Sequence, residues 1–241
     1  MEAEWIARLT AGEADTETSA VGTRWDASGR PLAFEGNTIV CHVPVVSPLW
    51  QALKALGAEL AALPSAGSYV FLPPESYHMT IFGGVTANPD RVEVWPEGVP
   101  ADTPRAAVTR LFIERLDRMR APQRFAMRPV ALRPMGTGGT VLELEPADED
   151  VLRQVRGLRE SLSLRLGLRE PHHDTYAFHI TFSYLLRHLS PEAAEAQVAH
   201  HSRLLDAFRE THPVIELGPP EFCVFNTLER FLPVAWFDDT D

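Results

Sequence analysis

The sequence has few cysteines and a deficit of cations, and each shortage excludes a class of protein. Cys41 and Cys223 are the two cysteines among 241 residues, so neither a disulfide framework nor a tetrahedral cysteine zinc site is possible. Lysine and arginine number 22 against 33 acidic residues, and the net charge is −11. A protein that binds long nucleic acid without sequence preference needs many cationic side chains to neutralise the phosphates. The composition therefore argues against such a partner, while a small phosphate-bearing substrate in a locally basic cleft stays compatible.

Long apolar segments are also missing. No run approaches the ~20 apolar residues that a membrane helix needs. Residues 1–20 are acidic and lack the apolar centre of a secretory signal, so we expect a cytoplasmic protein without membrane contacts. Hydrophobic residues make up 45% and charged residues 23%, values typical of a globular chain, which excludes disordered and fibrous classes.

Residues 1–35 are predicted to form a leader attached to the main domain. The segment up to Leu9 has the spacing of a short amphipathic helix, and an acidic stretch of small residues follows it. A hairpin is predicted around Ser28-Gly29. Residues 36–241 are predicted to form a single domain with two lobes, because the length fits two small lobes that share a core.

Three elements occur twice in this domain, in the same order and with nearly the same offset. Each copy is predicted to contain a strand, then a helix with apolar residues three and four apart, then a strand with a histidine. The strands that open the copies start 102 residues apart, and the histidines are 101 residues apart. The paired segments are the strands Thr38–Pro44 and Thr140–Pro146, the helices that follow Ser47 and Asp148, and the histidine strands Tyr77–Phe82 and Phe178–Phe182. This repeat predicts two related α+β lobes.

The remaining elements complete the predicted architecture. A helix over 104–120 and a strand over 124–132 are predicted between the two copies, and a helix followed by short strands is predicted after Ser190-Pro191. The fold class predicted from these elements is α+β with pseudo-twofold symmetry. Two mainly antiparallel sheets are expected around a central groove, with the helices outside.

The histidine strands place polar side chains together on one face. Side chains alternate between the faces of a strand, so His78, Thr80 and Phe82 share one face, and His179 and Thr181 share the matching face of the other strand. The apolar residues between them pack under the sheet. A pseudo-twofold axis between the lobes would bring the two His-Thr pairs face to face across a cleft.

Two facing histidines suit phosphodiester chemistry. A neutral imidazole takes a proton from water or a ribose hydroxyl, and an imidazolium gives a proton to the departing oxygen. The ordinary histidine pKa of about 6.5 makes both forms accessible near neutrality. The threonine hydroxyls can donate to the non-bridging phosphate oxygens and stabilise their developing charge. This chemistry requires no metal and no cofactor, and none is predicted.

The two histidine motifs resemble those of a known family. His78–Ile81 contains His-Met-Thr-Ile and His179–Phe182 contains His-Ile-Thr-Phe. Both resemble the paired His-hydrophobic-Thr/Ser-hydrophobic motifs of the 2H phosphoesterase superfamily, whose fold is also called LigT-like. The resemblance covers about residues 36–238, and the phrases Phe34–Thr38 and Cys41–Pro44 resemble a bacterial and fungal branch of unassigned substrate.

This resemblance implies an activity and a set of roles. The superfamily includes cyclic phosphodiesterases, 2′,5′-oligoadenylate phosphodiesterases and a nucleotide-binding domain of an anchoring protein. It implies a metal-independent phosphodiesterase of the 2′,3′-cyclic nucleotide type that acts on a small nucleotide or cyclic phosphate. We expect the protein to be a monomer. His78 and His179 would be the catalytic pair, and Thr80 and Thr181 would hold the phosphate. The alternatives are a non-catalytic nucleotide-binding module and an enzyme that processes RNA termini, which the acidic composition disfavours.

Three further residues are weaker candidates for substrate binding. His42 lies on the first strand of the repeat and either reaches the cleft or belongs to the core. Phe82 and Tyr176 are candidate platforms for stacking a base, although aromatic residues in such strands also serve as core. The sequence His172-His173-Asp174 matches no standard metal spacing, and a solvated loop is the better interpretation.

Overall fold

The computed structural model describes residues 2–87 and 94–240 and contains, within these ranges, five α-helices and twelve strands. The helices are α1 (Glu2–Leu9), α2 (Pro48–Ala61), α3 (Arg105–Leu116), α4 (Glu149–Leu166) and α5 (Pro191–Thr211). The strands are β1 (Gly36–His42), β2 (Tyr69–Phe71), β3 (His78–Thr86), β4 (Arg120–Ala121), β5 (Phe125–Met135), β6 (Gly139–Pro146), β7 (Phe178–Thr181), β8 (Ser183–Leu185), β9 (Ile215–Leu217), β10 (Pro220–Phe225), β11 (Leu232–Trp236) and β12 (Asp238–Asp239). None of the helices in these ranges is long and apolar enough to cross a bilayer.

The two repeat helices begin at the residues that their sequence indicates. The Ser47 side chain accepts a hydrogen bond from the backbone three residues on, and Pro48 occupies the first helical position of α2. The Asp148 carboxylate accepts two backbone hydrogen bonds at the start of α4. Helix α4 is capped at its C-terminus by Gly167, whose φ of 65° lies in the left-handed region where glycine carries little steric cost.

Eight strands form one antiparallel sheet with the order β11-β10-β1-β3-β7-β6-β5-β9. The histidine strands β3 and β7 are neighbours at its centre, and one residue pair, Met79 with Ile180, joins them. From this pair outward, each half contains a histidine strand, then the opening strand of its repeat copy, then two further strands, which are β10 and β11 in the first half and β5 and β9 in the second. The α+β fold with pseudo-twofold symmetry is therefore confirmed, and the two expected sheets are halves joined edge to edge.

One face of the sheet is covered by helices and forms the main core. Met79 and Ile180 are fully buried on this face, whereas the histidines and threonines beside them are half-buried on the other face. Burying one large aliphatic side chain contributes about 1.5–3 kcal/mol. Side chains from α2, α3 and α4 complete this core: Leu53, Leu60, Val108, Phe112, Val155 and Leu162.

A bulge in β3 changes the face on which Phe82 lies. Val40 pairs with Thr80 and Ile39 pairs with Phe82, so Ile81 is an extra residue opposite them. The extra residue ends the alternation of faces, and Phe82 turns into the core, where it is fully buried. The prediction that Phe82 lines the cleft is wrong for this reason.

The leader packs against the second half of the molecule. Leu9, Ala20 and Trp25 are fully buried. The backbone N–H of Thr18 donates to the carbonyl of Leu186 at 2.9 Å, which ties the segment to the chain after β8. The leader therefore shares a buried surface with the domain, and the division of the chain at residue 35 stays a prediction.

Residues 24–32 form a short hairpin in the leader. The backbone N–H of Asp26 donates to the carbonyl of Arg30, and that of Leu32 donates to the carbonyl of Arg24, both at 2.9 Å. These bonds fix the backbone of Arg24 next to the sheet.

Candidate functional site

The four residues predicted to be catalytic line one cavity. His78, Thr80, His179 and Thr181 are all in the wall of a cleft of about 220 Å³. They meet there because β3 and β7 are adjacent and because the face opposite the core carries every second side chain. The structure therefore brings together both His-Thr pairs, and the roles assigned to them stay predictions.

Matching hydrogen bonds orient the two imidazoles. His78 Nδ1 lies 2.6 Å from the carbonyl of Ser76, and His179 Nδ1 lies 2.8 Å from the carbonyl of Ala177. A carbonyl oxygen only accepts, so Nδ1 carries the hydrogen and donates it in both residues. In the neutral imidazole, Nε2 then keeps the lone pair and is the nitrogen available to a substrate. Each bond reaches back two residues, a contact that the sequence pattern did not indicate.

Burial favours the neutral form of His78. Desolvation lowers the pKa of His78 to about 4, the charges of His42 and His179 lower it further, and only the bond to Ser76 opposes them. The imidazole is therefore neutral at pH 7 in the absence of a ligand. A phosphate anion between the histidines would favour the charged form and raise this pKa.

His42 stands beside His78 rather than in the wall of the cleft. The two residues are paired across β1 and β3, and their ring centroids lie 6.1 Å apart. His42 Nδ1 lies 2.6 Å from Glu221 Oε2, and Trp236 Nε1 donates to the other oxygen of Glu221 at 3.1 Å. The prediction that His42 contacts substrate is untested, and its observed position is next to a catalytic candidate.

A different pair of residues stands beside His179. Glu143 is its neighbour across β6 and β7, and Arg133 of β5 forms an ion pair with Glu143. Burial lowers the pKa of His179, and the bond to Ala177 opposes this effect. The charge of Arg133 lowers the pKa further, and the charge of Glu143 raises it.

Tyr176 lines the cleft next to His179. The two rings have centroids 6.1 Å apart. The guanidinium of Arg159, which is fully buried, lies 4.3 Å from the centre of the Tyr176 ring. Arg159 also donates to the carbonyl of Ile81, the bulge residue of β3, at 2.5 Å, and to that of His173 at 3.0 Å. Arg159 thus holds Tyr176 and the bulge in one arrangement.

Part of the cleft wall, beside His78, is aromatic, and the sequence did not reveal this feature. Phe231 lies 4.2 Å from the ring of His78 and 4.9 Å from that of Phe225, and Phe34 stacks on Phe225 at 6.3 Å. Leu228 completes this surface. Aromatic faces beside a phosphate position suit a nucleobase, because every base can stack.

Two clusters of possible metal ligands occur in the described residues, and neither includes His78 or His179. In each cluster the ligand atoms lie within 4.8 Å of one another. Burial raises the pKa of the Cys223 thiol to about 12, which disfavours the thiolate that a metal would need. The clusters are His42 with Glu221 and Cys223, and Glu160 with His173 and Asp174.

Known proteins place the chain in a family. A family model described as 2H-phosphodiest, a domain of unknown function (DUF1868), matches residues 24–138, a stretch that includes the first His-Thr pair. The conserved protein of unknown function ATU0111 from Agrobacterium tumefaciens str. C58 is 32% identical. Its crystal structure has a TM-score of 0.86 to this chain and covers 96% of this chain and 97% of that protein. The chain belongs to the 2H phosphodiesterase family.

Other comparisons add less. The protein TT0787 of Thermus thermophilus is 20% identical, with a TM-score of 0.39 and coverage of 78% of this chain and 86% of that one. No curated protein matches the chain. Membership of the family supports a phosphoesterase function and places the chain with hydrolases of the phosphodiesterase class.

Proposed function

We propose that the protein is a metal-independent phosphodiesterase that hydrolyses a small nucleotide or a 2′,3′-cyclic phosphate by paired-histidine catalysis. The observation that carries the proposal is the matched geometry of the two pairs. Both histidines line one cleft with a threonine two residues on, and both donate Nδ1–H to the carbonyl two residues back.

The reaction follows from the available nitrogen of each ring. Nε2 of one neutral imidazole accepts a proton from water as the water oxygen bonds to phosphorus. The bond from phosphorus to a ribose oxygen breaks, and the imidazolium of the other histidine gives that oxygen its proton. Thr80 and Thr181 donate to the non-bridging oxygens, whose charge grows in the transition state. The products are a phosphate monoester and a free hydroxyl.

A substrate panel tests this proposal. Purified protein is assayed with 2′,3′-cyclic nucleotides, 3′,5′-cyclic nucleotides and 2′,5′-linked dinucleotides, each in EDTA and each with added divalent cations. We expect turnover of the 2′,3′-cyclic compounds at equal rates in EDTA and in metal. Activity that EDTA abolishes and a divalent cation restores would show that the histidines are ligands. His172, which is exposed, provides the control variant His172→Ala.

One observation favours a second function, that of a non-catalytic nucleotide-binding module. Burial lowers the pKa of both His78 and His179, so without a ligand the cleft holds two neutral imidazoles and no ready acid. Neutral rings suit hydrogen bonding to a nucleotide without turnover. Binding of a nucleoside monophosphate by calorimetry, together with no hydrolysis across the panel, would support this function.

A further inference from the structure

A second cavity of about 370 Å³ adjoins the catalytic cleft. The two cavities share four residues of their walls: Arg24, His179, Thr181 and Tyr184. The remaining wall comes from the leader, from β5, β6 and the turn between them, and from β8. These residues are Ser19, Met135, Gly136, Thr137, Gly139, Val141 and Ser183. A substrate whose phosphorus lies between the histidines can therefore extend past Thr181 into this second space.

The leader contributes a cation to the junction of the two cavities. The guanidinium of Arg24 lies 5.2 Å from the centre of the Phe34 ring, and its charge acts on the phenol of Tyr184. Within residues 2–87 and 94–240 this guanidinium has neither an ion pair nor a hydrogen bond. Its backbone is fixed by the hairpin bond to Leu32. The cation is thus positioned by the fold, and its donors are available to a ligand.

The electrostatic surroundings of the second cavity favour an anion. Arg24 is the one charged side chain among the described residues of its wall. Glu170 belongs to the wall of the first cavity only. The other polar side chains among the described residues of this wall are the imidazole of His179 and the hydroxyls of Ser19, Thr137, Thr181, Ser183 and Tyr184. In a chain with a net charge of −11, this local surplus of positive charge marks a place for a negative group.

We propose that the second cavity binds a further phosphate of the substrate and that Arg24 is the residue that recognises it. The inference rests on the proposed function and deepens it, because it identifies the substrate as a nucleotide phosphodiester with an additional phosphate group. A guanidinium presents two parallel N–H donors to a phosphate, a geometry that gives strong, oriented binding. The leader is then a part of the substrate site.

Binding measurements test this inference without any need for turnover. The wild-type protein is titrated calorimetrically with adenosine 3′-monophosphate and with adenosine 3′,5′-bisphosphate. We expect the bisphosphate to bind at least about 10-fold more tightly, as one added hydrogen-bonded ion pair predicts. Arg24→Gln is expected to remove this preference and to leave the affinity for the monophosphate within about twofold. Arg30→Gln, in the same hairpin but exposed and outside both cavities, is the matched control and keeps the preference.

Three results would overturn the inference. The wild-type protein could bind both ligands equally, or Arg24→Gln could weaken both ligands by the same factor, which would place Arg24 on the phosphate between the histidines. If a thermal melt shows that Arg24→Gln is not folded, Arg24→Lys is used in its place. This variant is expected to lose part of the preference for the bisphosphate. A preference that survives in Arg24→Lys and at high ionic strength would also contradict the inference. If the protein prefers the bisphosphate but hydrolyses no substrate, the inference about Arg24 is supported and the proposed catalytic function is contradicted.

Discussion

The two halves of the sheet share one scaffold and differ in the charges beside their histidines. In the first half, the neighbour of His78 is His42, which is bound to Glu221. In the second half, the neighbour of His179 is Glu143, which is bound to Arg133 and holds the position that His42 holds in the first half. A histidine neighbour disfavours a charged imidazole, and a carboxylate neighbour favours one.

This difference shows how a repeat can support unequal roles. The backbone of each half gives its histidine the same orientation, through the same bond to a carbonyl two residues back. Acid–base catalysis needs one neutral and one protonated imidazole at the same moment. The scaffold therefore supplies two equivalent positions, and residues on the neighbouring strands make them inequivalent.

Removal of either histidine should have the largest effect. His78→Ala and His179→Ala are each expected to lower kcat by about 10²- to 10⁴-fold, the range for a lost general acid or base. The double variant should lose much less than the product of the two, because the groups act as a unit. Steady-state kinetics on the substrate found in the panel give these values. A folded single variant that keeps the wild-type kcat would show that the substituted histidine takes no part in the reaction.

Removal of either threonine should have a smaller effect and should be equal in the two halves. Thr80→Ala and Thr181→Ala each remove one donor to the phosphate and are expected to lower kcat by roughly 10²-fold. Thr80→Ser and Thr181→Ser keep the hydroxyl and should retain most of the activity. A large loss of kcat in one threonine variant and no loss in the other would contradict the equivalence of the two threonines.

Acid should destabilise the fold through His78. The pKa of His78 is about 4 in the folded protein, below the ordinary value of 6.5. Between these pH values His78 is therefore protonated in the unfolded chain and neutral in the folded chain. This contribution to stability is present above pH 6.5 and is lost as pH falls towards 4. Relative to His78→Gln, the wild type should lose up to about 3 kcal/mol over this range, measured by urea unfolding at each pH. Parallel pH curves for the wild type and His78→Gln would show that the pKa of His78 is not lowered in the folded protein.

Substitution of the residue paired with each histidine, Glu143 or His42, should have the smallest effect on the rate. It is also the most informative test, because it shifts the pH dependence of the two halves differently. Glu143→Gln removes the charge that raises the pKa of His179, so one apparent pKa of the rate profile should fall. His42→Gln keeps a hydrogen bond for Glu221 and removes the imidazole that lowers the pKa of His78, so an apparent pKa of the rate profile should rise. Glu145→Gln, exposed two residues along the same strand, is the control. Shifts in one direction for both variants would contradict the inequivalence of the halves.

The repeat made most of the fold predictable from sequence. The strand, the helix and the histidine strand recur with nearly the same offset, and this regularity can be recognised from the local sequence pattern without knowing which strands pair. The misplacement of Phe82 has a different origin, because the bulge at Ile81 depends on how β3 pairs with β1. Alternation of faces predicts side-chain direction only where the pleat is unbroken.

The candidate site was predictable only in part for a related reason. The His-Thr pairs carry a local signature, and the structure places them in one cleft. Arg24 and the aromatic wall reach the same space from distant parts of the chain and carry no local signature. Tyr184 follows the second motif closely in the chain but lies outside its pattern. The carbonyls of Ser76 and Ala177 are backbone groups, which no pattern of side chains identifies.

The pH dependence of kcat/KM for the wild-type protein, in EDTA, tests the central claim most directly. Two histidines that act together, one as base and one as acid, predict a bell-shaped profile whose two apparent pKa values belong to the coupled pair. Loss of either histidine should remove a limb of the bell along with most of the rate. A profile with a single limb in the wild type, or one that keeps both limbs in His78→Ala or His179→Ala, would contradict the account.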